Sequence, residues 1–297
     1  MKKEHGLIIG LLVFLIFISL FVLYSIVKPK GIVPSGDKVA VIPLYGEIKL
    51  EGGGIGSNAV TPDKFGISFK EACSDPSVKA IVLEINSPGG SVVASEAIAE
   101  QIKECKKKKP VIAWLGDIAT SGAYYVASAC TYIVADKASI TGSIGVISIF
   151  PEYSELLHKL GINVTIIKAG KYKDFSYGLR PMTDEEKKMI SEMISDIYDD
   201  FIETVAENRN LSKEYVKELA EGRVYSGKKA KELGLVDEIG TKERAIKKAA
   251  ELAGIEGKPS VVTYRKRSII EEILGNSLER LGQGIAEGIV KQKIKVE

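Results

Sequence analysis

Apolar and polar positions follow three regimes along the chain. From Leu7 to Val27 the apolar run is unbroken, with no charged residue and almost no polar side chain. At about 1.5 Å per residue it would span about 31 Å as a helix, matching the hydrocarbon core of a bilayer. A cleaved secretory leader has a shorter apolar core, about 7–15 residues, and a small-x-small exit. This run leaves through Tyr24-Ser25-Ile26-Val27-Lys28, without such an exit, so residues 1–27 are predicted to hold an uncleaved transmembrane anchor. Lys2 and Lys3 on one side balance Lys28 and Lys30 on the other, so the charge rule for orientation barely discriminates. One anchor followed by one long domain favours a cytoplasmic N-terminus with the domain outside. Residues 28–37 hold two prolines and two glycines and read as a linker.

The second regime, residues 38–262, alternates short apolar runs with helical spacing. Strands are predicted at Val39–Leu44, Val78–Ile85, Val111–Leu115, Ile133–Ala135, Gly145–Ile149 and Ile162–Ile167. The near-continuous β-branched run at Val78–Ile85 suits a strand covered on both faces. Helices are predicted at Ser91–Lys106, Ser121–Cys130 and Tyr153–Leu160. This alternation implies an α/β fold with a largely parallel sheet and helical crossovers. From Asp184 to Leu252 the pattern turns mostly helical, and Met189, Met193, Ile197, Phe201 and Val205 form one stripe, core or subunit contact. In the third regime, residues 263–297, a weaker amphipathic pattern through Ile270, Leu274, Leu278 and Leu281 is broken by four glycines and reads as a tail.

Composition changes this picture little. The chain is 45% hydrophobic, enough for a sizeable core, and its 41 basic and 39 acidic residues offer no basic face for nucleic acid. The one dense basic stretch, Lys106–Lys109, closes a predicted helix before Pro110 and reads as solvated cations at a helix C-terminus. Cys73, Cys105 and Cys130, odd in number and widely spaced, suggest neither a disulfide framework nor zinc ligation, and read as small packing residues.

Candidate chemistry narrows quickly. Only two histidines are present. His5 precedes the apolar run, and His158 falls on the polar side of a predicted helix. A Ser-His-Asp triad is therefore poorly supplied, and a lysine base is the natural alternative. In Ala119-Thr120-Ser121-Gly122-Ala123 a strand ends and a helix of small residues begins. Ser121 there is either a nucleophile beside free helix N–H groups or an ordinary N-cap. Asn86-Ser87-Pro88-Gly89-Gly90-Ser91 allows a turn with exposed N–H groups, suited to an oxyanion or simply to a strand-to-helix turn capped by Ser91.

Taken together, INSPGG at 85–90, ATSGAYY at 119–125, GSIGV at 142–146, KAGKYKD at 168–174 and VYSGKKA at 224–230 resemble the signal peptide peptidase A family of the ClpP/crotonase superfold. The resemblance covers about Val39 to Leu252, and the 52 positions between Ser121 and Lys173 suit the short single-unit form. It implies a repeated β-β-α sheet with helical crossovers. It also implies a serine peptidase with Ser121 as nucleophile, Lys173 as general base and Ser143 orienting the lysine. The N–H groups of Gly90 and Gly122 would hold the oxyanion, with Gly89 shaping the turn. Lys168 and Lys171 are nearby alternatives for the base. The base must be neutral to take a proton, so a desolvated lysine is expected. Implied substrates are remnant signal peptides or other apolar peptides at the membrane, with no metal or organic cofactor and with self-association into a homo-oligomer. Two other readings share the turn: a membrane protease specific for a membrane-protein partner, and a crotonase-like acyl-CoA enzyme, which needs neither Ser121 nor Lys173.

Overall fold

A computed structural model describes residues 36–52 and 59–264. The anchor expected at Leu7–Val27 and nearly all of the tail from 263 lie outside the described residues. Among the described residues no helix is long and apolar enough to cross a membrane.

The chain runs β1 (Lys38–Tyr45), α1 (Pro62–Ser74), β2 (Val78–Ser87), α2 (Val92–Lys106), β3 (Val111–Thr120), α3 (Gly122–Ser128), β4 (Tyr132–Ala135) and β5 (Ile140–Gly142). It continues through α4 (Ser154–Lys159), α5 (Asp184–Arg209), α6 (Lys213–Leu219), β6 (Val224–Ser226), α7 (Gly227–Glu232), β7 (Glu238–Ile239), α8 (Lys242–Leu252) and β8 (Ser260–Thr263). The sheet order is β6-β5-β3-β2-β1-β8, with β4 between β3 and β7 off this path. Its pairings are parallel except β5 with β6, as the alternation of elements predicts. Strand β3 changes neighbour along its length: Ile112–Leu115 pairs with β4 and Ile118–Thr120 with β5. The second half delivers the chain into the turn at Ser121.

Both faces of the sheet are covered. Successive side chains of a strand point to opposite faces. Ala40, Ile42 and Leu44 of β1 and Ile81, Leu83 and Ile85 of β2 join the core that includes Phe69, Ile98, Ile102 and Tyr124. Val39, Val41, Ala80 and Val82 pack on the other face against Ala245, Ala249 and Ala250 of α8. This two-sided burial is why β2 lacks polar alternation. β8, which the pattern did not reveal, extends the sheet beside β1, and Tyr264 just beyond it donates its N–H to the Val41 carbonyl (2.9 Å). The described residues of this sheet thus run to Tyr264.

Three expectations need correction. Gly145–Ile149 and Ile162–Ile167 form no strands. A strand exists only through a neighbour's N–H and C=O groups, and these apolar runs find none among the described residues. Ile147, Ile149 and Ile167 are instead 81%, 77% and 95% exposed. Second, the basic stretch is not wholly solvated. Lys109 Nζ donates to the carbonyls of Ala72, Asp75 and Val78 (3.3, 2.9 and 2.7 Å), tying the end of α1 to the start of β2. Third, Cys73 and Cys105 are joined in a disulfide with Cα atoms 6.0 Å apart, linking α1 to α2. Only Cys130 keeps the packing role: it is a buried free thiol, and burial pushes it up to about 12.

The disulfide closes a separation of 32 positions. A loop of that length constrains the unfolded chain by about 3–4 kcal/mol in the chain-entropy picture. Reduction, or Cys73→Ser with Cys105→Ser, is expected to lower the unfolding free energy at neutral pH by that order, read as a drop in the urea midpoint. An unchanged midpoint would show that the covalent link contributes nothing.

Candidate active site

Ser121 sits between β3 and α3 with φ 54° and ψ −126°, a conformation that L side chains rarely adopt. Such backbone costs on the order of 1–3 kcal/mol and persists only where its surroundings enforce it. Here the Ser121 N–H donates to the Gly142 carbonyl (2.8 Å), and the Tyr125 N–H donates to the Ser121 carbonyl (2.9 Å). The hydroxyl caps no helix N–H, which removes the capping role that the segment alone left open. Ser121 is part-exposed and lines a cavity with Gly90, Val92, Glu96, Gly122 and Tyr125.

The glycine turn meets Ser121 from the side of β2. Gly89 has φ +94°, and a Cβ there would lie 2.6 Å from the Thr120 carbonyl oxygen and 2.7 Å from the Gly122 nitrogen. Gly90 has φ +147°, and its Cβ would lie 2.1 Å from the Ile48 carbonyl oxygen. The turn is braced by the Ile48 N–H donating to Gly89 (2.8 Å), the Ser91 N–H donating to Ile48 (2.9 Å) and the Thr120 hydroxyl donating to Pro88 (3.1 Å). Ser91 accepts the Ala94 N–H (3.4 Å) as the cap of α2. The N–H groups of Gly90 and Gly122 donate to no described residue, and both glycines line the cavity with Ser121. Two unpartnered N–H groups in the same cavity lining as a free hydroxyl are donors of the kind that an oxyanion requires.

Ser143 also has positive φ (51°), held by its N–H donating to Arg223 (2.7 Å), directly after the Gly142 that binds Ser121. Lys173 is placed differently. It lies on an exposed loop before α5 and is not part of the cavity lining. The desolvation expected for the base is therefore not supplied by the described residues of this chain. The three candidate lysines nevertheless differ. Lys168 is ion-paired with Asp174, and Lys171 with Glu185, whose bond raises the Lys171 ammonium above its usual range. The Lys173 ammonium has no hydrogen bond or ion pair among the described residues. His158 is exposed on α4.

Beneath the lysine loop lies a network the motif reading missed. Arg180 donates to both oxygens of Asp174 (2.9 and 2.7 Å) and both of Glu186 (2.9 and 2.6 Å). Asp174 and Glu186 are only 5% and 2% exposed. Glu186 completes a capping box with Thr183 at the start of α5. The Thr183-x-x-Glu186 spacing was a legible signal for that helix start, whereas the reach of Arg180 to both acids was not. Arg180, aided by Thr183, holds the Glu186 carboxyl down at about 2, and Arg180 with Lys168 holds Asp174 well below the carboxylate range. A depressed carboxyl favours the folded state above its unfolded value, near 4, and loses that contribution as pH falls through the folded value. Wild-type stability is thus expected to drop between about pH 4 and pH 2. Glu186→Gln should be less stable at neutral pH and flatter across that interval, read by urea unfolding at stepped pH. Parallel pH profiles for the two proteins would refute the assignment.

Comparison with known proteins agrees in kind. The profile described as Peptidase family S49 matches residues 103–256. A Methanocaldococcus jannaschii protein, provisionally named a protease, is 42% identical over 97% of this chain and 94% of its own length. Protease 4 of Haemophilus influenzae is 34% identical over 86% of this chain, a match spanning 42% of that longer protein. The chloroplastic serine protease SPPA of Arabidopsis thaliana is 33% identical over 78% of this chain and 37% of its own length. Among solved structures, a variant of the 1510-N membrane-bound stomatin-specific protease aligns at TM-score 0.52 and 17% identity, covering 78% of this chain and 100% of that one. That likeness is one of fold, the ClpP-like mixed α/β architecture.

Proposed function

The chain belongs to peptidase family S49, the SppA-like serine proteases, and from that premise we propose that it is a membrane-anchored endopeptidase working through Ser121 and Lys173. The observation that carries this reading is the uncapped Ser121 hydroxyl beside the unpartnered N–H groups of Gly90 and Gly122. Neutral Lys173 takes the Ser121 proton as Oγ attacks the peptide carbonyl carbon. The two N–H groups receive the oxyanion, the lysine ammonium returns its proton to the leaving amine, and the acyl ester forms. Water, deprotonated by the same lysine, attacks the ester carbonyl, and the lysine ammonium returns the proton to Ser121 Oγ as the bond to the acyl carbon breaks. Ser143 orients the lysine amine. The acyl-CoA reading has no use for this serine and is set aside with the family assignment.

The exposed, unpartnered Lys173 and the exposed apolar residues Ile147, Ile149 and Ile167 support a homo-oligomer. In it a neighbouring copy covers the apolar arm and desolvates the lysine, bringing it to a Ser121. The unbroken apolar run at Leu7–Val27 supports a bilayer anchor, and with it remnant signal peptides or other apolar peptides as substrates. The Cys73–Cys105 disulfide supports a domain on the oxidising, outer side.

Fluorophosphonate labelling of the full-length protein in membranes tests the reading. Stoichiometric label on Ser121, located by mass spectrometry and blocked by an apolar peptide, is expected. Active enzyme with its label on another residue would overturn it.

A further inference from the structure

The cavity beside Ser121 is not uniformly apolar. Val92, Tyr125, Ile147, Ile197 and Phe201 form its walls, and Tyr125 and Phe201 pack edge to face at 5.3 Å. Its other polar side chains are already engaged: Ser95 Oγ donates to the Ser91 carbonyl (2.8 Å), and the Tyr125 hydroxyl shares a hydrogen bond with Thr204 (3.2 Å). The exception is Glu96. It lines the cavity, is half-buried as a residue, and its carboxylate has no hydrogen bond or ion pair among the described residues. The nearest cation along α2, Lys103, is already paired with Glu100 (2.8 Å) rather than with Glu96. Burial raises the Tyr125 phenol above its usual range, with the Glu96 charge adding to it and Thr204 and Lys103 opposing.

A carboxylate partly removed from water and left unpaired is costly, and an incoming cation offsets that cost. An apolar wall suits an aliphatic stem, and an aromatic face suits a cationic head. We infer that Glu96 makes this cavity a subsite for lysine or arginine at the residue before the scissile bond, so that the preferred substrates are apolar peptides punctuated by basic residues. The inference rests on Ser121 being the nucleophile, as proposed above.

Two fluorogenic peptides identical except for lysine or norleucine at that residue separate the cationic head from the shared stem. They are assayed with the full-length chain. Wild type is expected to favour lysine about tenfold in kcat/KM, the value of a charged hydrogen bond. Glu96→Gln should bring the ratio to one or below, and Glu96→Arg should invert it and admit glutamate. Each ratio is taken within one variant, so partial loss of folded enzyme cancels. A wild-type preference for norleucine, or a ratio unmoved by Glu96→Gln, overturns the inference while leaving the peptidase reading intact. If no peptide is cleaved above the Ser121→Ala background, the peptidase reading fails and the inference with it.

Discussion

Ser121→Ala and Lys173→Ala are each expected to reduce peptide hydrolysis by roughly 10⁴-fold or more, and the double variant by about the same factor, because a nucleophile and its base act as one unit. Both variants should keep the wild-type fold. The Ser121 hydroxyl caps no helix, and the Lys173 side chain is exposed and makes no hydrogen bond among the described residues. Ser143→Ala should weaken turnover without abolishing it. His158→Ala should leave most of it, since that imidazole lies on the exposed surface of α4. Turnover near wild type in Lys173→Ala, with loss in His158→Ala, would replace the lysine by a histidine base. Mixing the two inactive single variants tells where the lysine acts. Activity recovered on mixing means that one copy's Lys173 serves another copy's Ser121. No recovery confines the pair to one chain, and the exposed lysine then no longer calls for assembly.

Gly90→Ala carries the second large effect. The new Cβ would stand 2.1 Å from the Ile48 carbonyl oxygen, and φ of +147° is itself unfavourable for alanine. Neither side can yield cheaply, because Ile48 both donates to Gly89 and accepts from Ser91. The turn must therefore move and take the Gly90 N–H away from Ser121. Loss of one oxyanion donor costs about 10²–10³ in kcat, with a smaller change in KM expected. Circular dichroism and the urea midpoint would establish that the domain is still folded. A folded Gly90→Ala protein with kcat within a few-fold of wild type would show that this N–H does not hold the oxyanion.

Much of this domain is local, and so it is legible along the chain. The predicted strands at Val39–Leu44 and Val78–Ile85 and the helix at Ser91–Lys106 agree with β1, β2 and α2 to within two residues at each end. Period-two and helical spacing are direct consequences of which face a residue buries. The glycines at 89 and 90 were legible for a related reason, whereas Gly122 was marked only by the family resemblance. Close backbone approach and positive φ demand the absence of a side chain, and the structure shows both at Gly89 and Gly90, while at Gly122 a Cβ would lie 2.3 Å from Ser95 Oγ.

Other features rest on proximity between residues far apart in the chain, for which no local pattern exists. Cys73 and Cys105 looked like packing residues until α1 and α2 were laid side by side. Ser121 could equally have been a cap until its φ and its bond to Gly142 set the hydroxyl free. Glu96 is one acid among many on a helix, and becomes distinctive only where it lines one cavity with Tyr125, Phe201 and the serine. At Gly145–Ile149 and Ile162–Ile167 the apolar runs have the composition of strands and no ladder. Residue type sets what a segment can do locally, but a strand, a disulfide or a pocket also needs a partner, and only the packing of distant segments brings one within bonding distance.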